Sequence, residues 1–99
     1  MKVKVKNING TARFKEPSCG CKTWLEHWVQ NSGYNLKDFC RRCHSHVVKD
    51  ELVGGHVMKV NSADKDYYIV PICRKCNGKK DKIFEVEEEI LVAVTVCKK

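Results

Sequence analysis

The sequence contains no continuous apolar stretch of the roughly 18 residues that a membrane-spanning helix requires, so no membrane span is predicted. Its first residues alternate lysine with valine and lack the uninterrupted apolar segment of a secretory signal. We therefore expect a cytoplasmic protein. Cysteines in that compartment stay reduced, which favours metal binding over disulfide formation.

The chain is also short. Ninety-nine residues predict a single domain over residues 1–99, whose core is marginal unless a metal supplements it. Cysteine, by contrast, is plentiful: there are seven, an odd number that leaves one thiol unpaired in any complete disulfide scheme. An apolar content of 42% with 31% charged residues indicates a folded, soluble protein.

Four of the cysteines form two CxxC pairs. The first cysteine pair is Cys40 and Cys43, and the second cysteine pair is Cys73 and Cys76, with 29 residues between the two pairs. Two thiolates three positions apart at a tight turn can point at one ion, about 2.3 Å away for zinc. We therefore predict one four-thiolate Zn²⁺ site. Iron is an alternative for the same ligands, and His44 or His46 could replace a cysteine.

The formal charge of +7 is distributed unevenly. Residues 1–50 carry ten Lys and Arg against four Asp and Glu, whereas residues 51–99 carry nine against eight. Excess positive charge favours a polyanionic partner, DNA or RNA first, although solubilising charge is an equal alternative. The candidate nucleic-acid residues flank the cysteine pairs: Arg41, Arg42, Arg74, Lys75, Lys79 and Lys80.

Local patterns predict a small α+β fold. Thr23 to Glu26 form a capping box that starts an amphipathic helix ending near Gly33. Its two tryptophans are expected in the core, and an exposed base-stacking platform is the alternative. Alternation and β-branched residues predict short antiparallel strands. The predicted strands are Lys2–Lys6, Thr11–Lys15, a strand after a turn at Gly54-Gly55, Tyr67–Val70 ended by Pro71, Lys82–Val86 and Ile90–Val96. A short basic helix or turn is predicted over Arg74–Lys82.

The order of cysteine pair, hairpin, second cysteine pair and helix is that of a treble-clef finger. The stretch from Gly54-Gly55-His56-Val57 to Cys76-Asn77 and Lys80 resembles the ββα-metal core of the HNH endonuclease family, over about residues 40–82. The resemblance implies a general base at His56, a metal-binding role for Asn77 and a basic residue at Lys80. It also implies a separate structural zinc on the two cysteine pairs.

Two positions depart from that family's pattern. Gly55 stands where an acid or a histidine is usual, and Tyr68 stands where an asparagine orients the catalytic histidine. We therefore expect the fold and the zinc to carry over while the nuclease machinery is incomplete. For His56, a remnant or working base, a hydrogen-bonded structural histidine and a metal ligand all stay open.

Three cysteines lie outside the CxxC pairs. Cys19, Cys21 and Cys97, with His27, could form a second metal site; free thiols, a redox pair or a nucleophilic Cys19 are the alternatives. Cys19-Gly-Cys21 with Trp24-Leu25 and His27-Trp28 also resembles small uncharacterised bacterial and phage proteins. That resemblance implies no activity.

Three functions follow from these patterns. The first is a non-catalytic zinc-binding module that binds nucleic acid. The second is a metal-dependent endonuclease using His56 and Asn77. The third is a structural or protein-interaction zinc module with an unknown protein partner.

Overall fold

A computed structural model of the chain describes residues 1–8, 22–64, 66–78 and 83–95. This part of the chain forms two α-helices and five antiparallel strands, which confirms the predicted α+β class. In chain order the elements are β1 (Lys2–Asn7), α1 (Trp24–Ser32), β2 (Leu52–Lys59), β3 (Tyr67–Cys73), α2 (Arg74–Asn77), β4 (Ile83–Glu87) and β5 (Val92–Ala93). None of the described helices has the length and apolar character needed to cross a bilayer.

The five strands form one sheet in the order β4-β1-β2-β3-β5. Its two edge strands are consecutive in the chain, with only residues 88–91 between them. The edges of a flat five-stranded sheet lie about 19 Å apart. That exceeds the roughly 17 Å that five extended residue steps can span, and the 3₁₀ turn Glu88–Ile90 shortens the connection further. The sheet is therefore strongly curved.

Helix α1 begins and ends where the sequence predicts. The Thr23 hydroxyl accepts a hydrogen bond from the Glu26 backbone N–H at 3.0 Å, and Gly33 ends the helix with a φ of +79°. The Glu26 carboxylate accepts from the backbone N–H of Lys22, one residue before the position that a capping box predicts. Trp28 is fully buried in the core and donates its indole N–H to the Ile90 carbonyl at 2.7 Å.

The prediction of a turn at Gly54-Gly55 is wrong, because both glycines lie inside β2. A Cβ on Gly54 would lie 2.6 Å from the Leu25 backbone nitrogen, and one on Gly55 would lie 2.5 Å from the Ile72 side chain. Adjacent strand residues face opposite sides of a sheet. The two glycines therefore allow close contacts on both faces of β2, with α1 on one of them.

The prediction that Pro71 ends its strand is also wrong, because β3 continues to Cys73. The Pro71 carbonyl accepts from the Arg41 backbone N–H at 3.1 Å, so it faces away from β2. The nitrogen of Pro71, which carries no hydrogen, faces the same side of the strand. On that side β3 pairs with β5 only as far as Ile69. The proline therefore costs the sheet no hydrogen bond.

The remaining strand predictions are met in part. The structure places β1 and β4 within one residue of the predicted bounds. The predicted last strand is reduced to Val92–Ala93, because the chain first forms the 3₁₀ turn. The first part of the predicted helix or turn over Arg74–Lys82 is helix α2, Arg74–Asn77. The predicted strand Thr11–Lys15 and residues 79–82 lie outside the described residues.

Candidate metal centre

The two cysteine pairs come together at one end of the β2–β3 hairpin. The first cysteine pair lies in the segment between α1 and β2, whereas Cys73 ends β3 and Cys76 lies in α2. The four Sγ atoms all lie within 4.8 Å of one another, which confirms the predicted convergence. Four thiolates bound tetrahedrally to zinc at about 2.3 Å would be about 3.8 Å apart. The cluster therefore has the size that a single bound ion requires.

Local hydrogen bonds fold the first cysteine pair into a tight turn. The Cys40 N–H donates to the Ser45 carbonyl at 3.1 Å, and the His44 N–H donates to the Cys40 carbonyl at 2.9 Å. His44 has a φ of +62°, a left-handed conformation that reverses the chain. Phe39 and His46 then pair across the turn as an isolated β-bridge. This geometry directs both sulfurs to the same side.

The Cys40 sulfur receives three backbone N–H groups. They belong to Arg42 and Cys43, each at 3.4 Å, and to Cys73, at 3.3 Å. A neutral thiol sulfur is a weak acceptor, whereas a thiolate attracts several donors. These three N–H groups would therefore stabilise the negative charge of a metal-bound Cys40 sulfur. One of the three donors comes from the second cysteine pair, so this sulfur already links the two pairs.

The four thiols differ in exposure and in acidity. Cys40, Cys73 and Cys76 are buried, with 0%, 9% and 3% of their surface exposed, whereas Cys43 is exposed. Hydrogen bonds from Ser45 lower the pKa of Cys43 to about 6. Burial, followed by hydrogen bonding with the neighbouring thiols, raises the pKa of Cys76 to about 12. Four anionic sulfurs this close need a cation to offset their repulsion, and a divalent metal fits that need.

Four cysteines are the ligand set of closed structural zinc sites. These four cysteines are free of disulfides. The histidines proposed as alternative ligands lie elsewhere on the turn: the ring of His44 packs against Phe39, with centroids 5.6 Å apart, and His46 is exposed. In the described part of the chain, the four cysteines alone form a group that could hold a metal ion.

The structure does not bring His56 and Asn77 together. His56 lies two residues after Gly54 in β2, so its side chain shares the face that packs on α1; its ring lies edge-on to Trp24, with centroids 4.8 Å apart. Asn77 contacts the opposite face, where its Oδ1 lies 3.3 Å from the position of a Cβ on Gly55. His56 is also only 7% exposed. The pair thus lacks the shared, accessible face that a general base and its metal ligand require.

The candidate second metal set lies largely outside the described residues, because Cys19, Cys21 and Cys97 fall there. Its fourth member, His27, is fully buried in α1. The His27 Nε2 atom lies 3.0 Å from the Ala93 carbonyl oxygen, which requires a proton on that nitrogen. This hydrogen bond ties α1 to β5 and keeps that nitrogen from a metal.

The candidate nucleic-acid residues differ in how far they are already engaged. Arg42 donates to the Cys76 carbonyl at 2.9 Å, and Arg74 lies 3.6 Å from a Glu51 carboxylate oxygen. Arg41 is half-buried, with its guanidinium 5.3 Å from the Phe39 ring centroid. Lys75 is exposed beside the metal centre. Lys79 and Lys80 lie outside the described residues.

Sequence analysis missed two residues of this site. Ser45 donates to the exposed thiol, and the buried Asn7 amide donates to the carbonyls of Cys76 and Asn77 at 3.4 and 3.5 Å. The role of Asn7 could have been suspected from the sequence, because the alternation of Val3, Val5 and Asn7 places this polar side chain on a buried face. No sequence pattern indicated the role of Ser45, because serine is common after turns.

Comparisons of this chain with protein-family models, with curated proteins and with solved structures found no match.

Proposed function

We propose that this protein is a small zinc-stabilised module of the treble-clef type, in which the two cysteine pairs hold one structural Zn²⁺. The observation that carries the proposal is the convergence of four Sγ atoms within 4.8 Å of one another. Three N–H groups on the buried Cys40 sulfur would stabilise the negative charge of that sulfur when it binds zinc. Zinc is favoured because four cysteines in two CxxC pairs are a usual ligand set of structural zinc sites, although iron can bind the same four thiolates.

The bound ion would supply cross-linking rather than catalysis. Four protein ligands complete a tetrahedron and leave no open position for water or substrate. The first cysteine pair lies in the segment after α1, and the second cysteine pair joins β3 to α2. A single ion would therefore fix these segments relative to one another in a chain with a small core.

Metal analysis of the purified protein tests this proposal. We expect one equivalent of zinc, a colourless protein, and loss of the metal in a Cys40→Ser, Cys76→Ser double variant. A red protein that contains iron would show that iron, and not zinc, is the resident ion. Two equivalents would point to a second site involving Cys19, Cys21 and Cys97. A protein that takes up no metal under reducing conditions would overturn the proposal.

Nucleic-acid binding is a second candidate, and we propose it on charge. Four thiolates around Zn²⁺ contribute −2, so the formal charge of +7 becomes +5. Lys75 is exposed beside the metal centre, and Arg74 is exposed with a solvent-screened contact to Glu51. A tight metal centre would hold these cations in fixed positions on one surface.

Fluorescence anisotropy with short DNA and RNA duplexes and single strands would test this candidate at low and physiological salt. Binding through phosphates weakens steeply with salt, and losing one contact reduces the slope by about one. We expect Lys75→Glu to weaken binding, whereas Lys4→Glu on the exposed side of β1 is the matched charge control. Equal effects of the two variants, or binding that ignores salt, would refute the candidate and favour a structural or protein-interaction module.

The endonuclease candidate has less support from the geometry. His56 and Asn77 lie on opposite faces of β2, and the acidic or histidine ligand expected before His56 is Gly55. A plasmid-nicking assay with Mg²⁺ or Mn²⁺ would settle the matter. We expect no cleavage that depends on His56, so the wild-type protein and His56→Ala should behave alike.

A further inference from the structure

We propose that Arg42 is a positioning residue for the metal centre, which fixes the second cysteine pair by binding the Cys76 carbonyl. This inference rests on the proposed zinc-binding function. It gives a specific task to a cation that sequence analysis assigned to nucleic acid.

Arg42 contacts both cysteine pairs. It lies between Cys40 and Cys43 in the chain, and its backbone N–H donates to the Cys40 sulfur at 3.4 Å. Its side chain crosses to the other pair, where Nη1 donates to the Cys76 carbonyl oxygen at 2.9 Å. This is a well-formed, charge-assisted hydrogen bond. One residue therefore links a sulfur of the first cysteine pair to the backbone of the second.

Helix α2 needs such a partner. It has only four residues, Arg74–Asn77, and a helix this short is unstable by itself. The Gly78 N–H donates to the carbonyls of Arg74 and Lys75 at 3.1 and 3.2 Å, so the carbonyls of Cys76 and Asn77 are the ones that side chains bind. Arg42 binds one of them, and the buried Asn7 amide reaches the carbonyls of Cys76 and Asn77 over longer distances of 3.4 and 3.5 Å. Together the two side chains fix the turn that carries the Cys76 sulfur.

The rest of the Arg42 side chain is held in place by β4. The guanidinium carbon lies 5.1 Å from the centroid of the Phe84 ring, within the range of a cation–π contact. Arginine can stack on a ring and donate from its edge at the same time because its guanidinium is planar. A lysine ammonium is a point charge and would keep only one of the two contacts.

Arg41 provides a matched comparison. It precedes Arg42 directly and carries the same charge at a similar level of exposure. Its guanidinium lies 5.3 Å from the Phe39 ring centroid, and within the described residues it makes no hydrogen bond to the second cysteine pair. Replacing either arginine with methionine removes one positive charge beside the thiolates, so a difference between the two variants reports on the Cys76 contact.

The experiment compares wild type, Arg42→Met and Arg41→Met in the full chain. Zinc release to a chelator gives the metal affinity, and Co²⁺ substitution gives the geometry of the thiolate ligands through its visible absorption bands. We expect Arg42→Met to release zinc about 10–100-fold more readily, the range seen when groups that orient metal ligands are lost, and to shift the Co²⁺ bands. Arg41→Met should stay close to wild type in both measurements.

Arg42→Lys provides a second test in case Arg42→Met does not fold. It keeps the charge and should lose zinc to an intermediate extent, while Arg41→Lys should not. Equal effects at positions 41 and 42, or faster release from Arg42→Met with unshifted Co²⁺ bands, would overturn the inference and leave the zinc site standing. A wild-type protein that takes up no zinc would overturn both proposals at once.

Discussion

At the scale of single residues, the four cysteines differ in burial and in the hydrogen bonds that their sulfurs receive. Cys40 is fully buried and accepts three backbone N–H groups, whereas Cys43 is exposed and receives hydrogen bonds from Ser45. Replacing the buried sulfur leaves three N–H donors facing a smaller oxygen that binds zinc poorly. Replacing the exposed one leaves a position that water can reach. The two substitutions should therefore have different consequences.

We predict that Cys40→Ser abolishes zinc retention and native tertiary structure, while Cys43→Ser binds zinc more weakly but still folds when zinc is in excess. Zinc content after dialysis and near-UV circular dichroism are the measurements. Both variants remove one sulfur, so each serves as the control for the other. Identical loss of metal and structure would show that burial does not distinguish them.

The two glycines of β2 give a second prediction at this scale. Gly54→Ala would place a Cβ 2.6 Å from backbone atoms of α1, which cannot move independently, so we expect a loss of about 1–3 kcal/mol in the free energy of unfolding. Gly55→Ala meets the Ile72 side chain, which can change rotamer, and should cost less. Denaturant unfolding of the zinc-loaded protein measures both.

Gly78→Ala is the control for that series. Gly78 follows α2 with a φ of −77°, and its nearest neighbour would lie at an ordinary contact distance of 3.4 Å. We expect no loss of stability there, and a small gain is consistent with reduced freedom of the unfolded chain. A Gly54→Ala variant as stable as Gly78→Ala would contradict the close packing of α1 on β2.

At the scale of elements, α1 is the part of the fold that its own sequence specifies best. Its start is encoded by Thr23 and its end by Gly33, both local signals, and both positions agree with the structure. The interior of β2 and the course of β3 were not predictable in this way. Glycine and proline usually interrupt strands. Gly54 fits within β2 because α1 packs closely against it, and Pro71 fits within β3 because its carbonyl binds the Arg41 backbone N–H.

We predict that Thr23→Ala lowers the free energy of unfolding by about 1 kcal/mol, because the Glu26 N–H loses its side-chain acceptor. Thr23→Ser keeps the hydroxyl and should remain near wild type. Denaturant unfolding followed by tryptophan fluorescence suits the measurement, since both tryptophans belong to α1. Equal destabilisation by alanine and serine would assign the effect to the lost methyl group instead of the cap.

At the scale of the whole molecule, the proposed metal centre would brace a small fold. Among the described residues, Trp28, Ile69 and Ile72 have the largest fully buried apolar side chains. Sequence alone predicted the convergence of the four cysteines, because CxxC spacing is a local requirement of a metal site. It could not predict Arg42 or Asn7, whose roles depend on which carbonyl the folded chain places beside them.

We therefore predict that a chelator removes tertiary structure from the whole domain. Near-UV circular dichroism should collapse on zinc removal and return when zinc is added back, because metal binding and folding are coupled in small zinc domains. Magnesium added back in place of zinc is the control, since it prefers oxygen ligands. A metal-free protein with its native spectrum would show that the core suffices by itself.

The position of β1 in the sheet has a consequence for synthesis of the protein. This strand pairs with β2 on one side and with β4 on the other, so residues 2–7 and 83–87 meet. On the ribosome, all four cysteines of the candidate metal centre emerge before β4 does. The nascent chain could thus capture a metal ion while one side of its first strand still lacks a neighbour, and the pairing of β1 with β4 must come later.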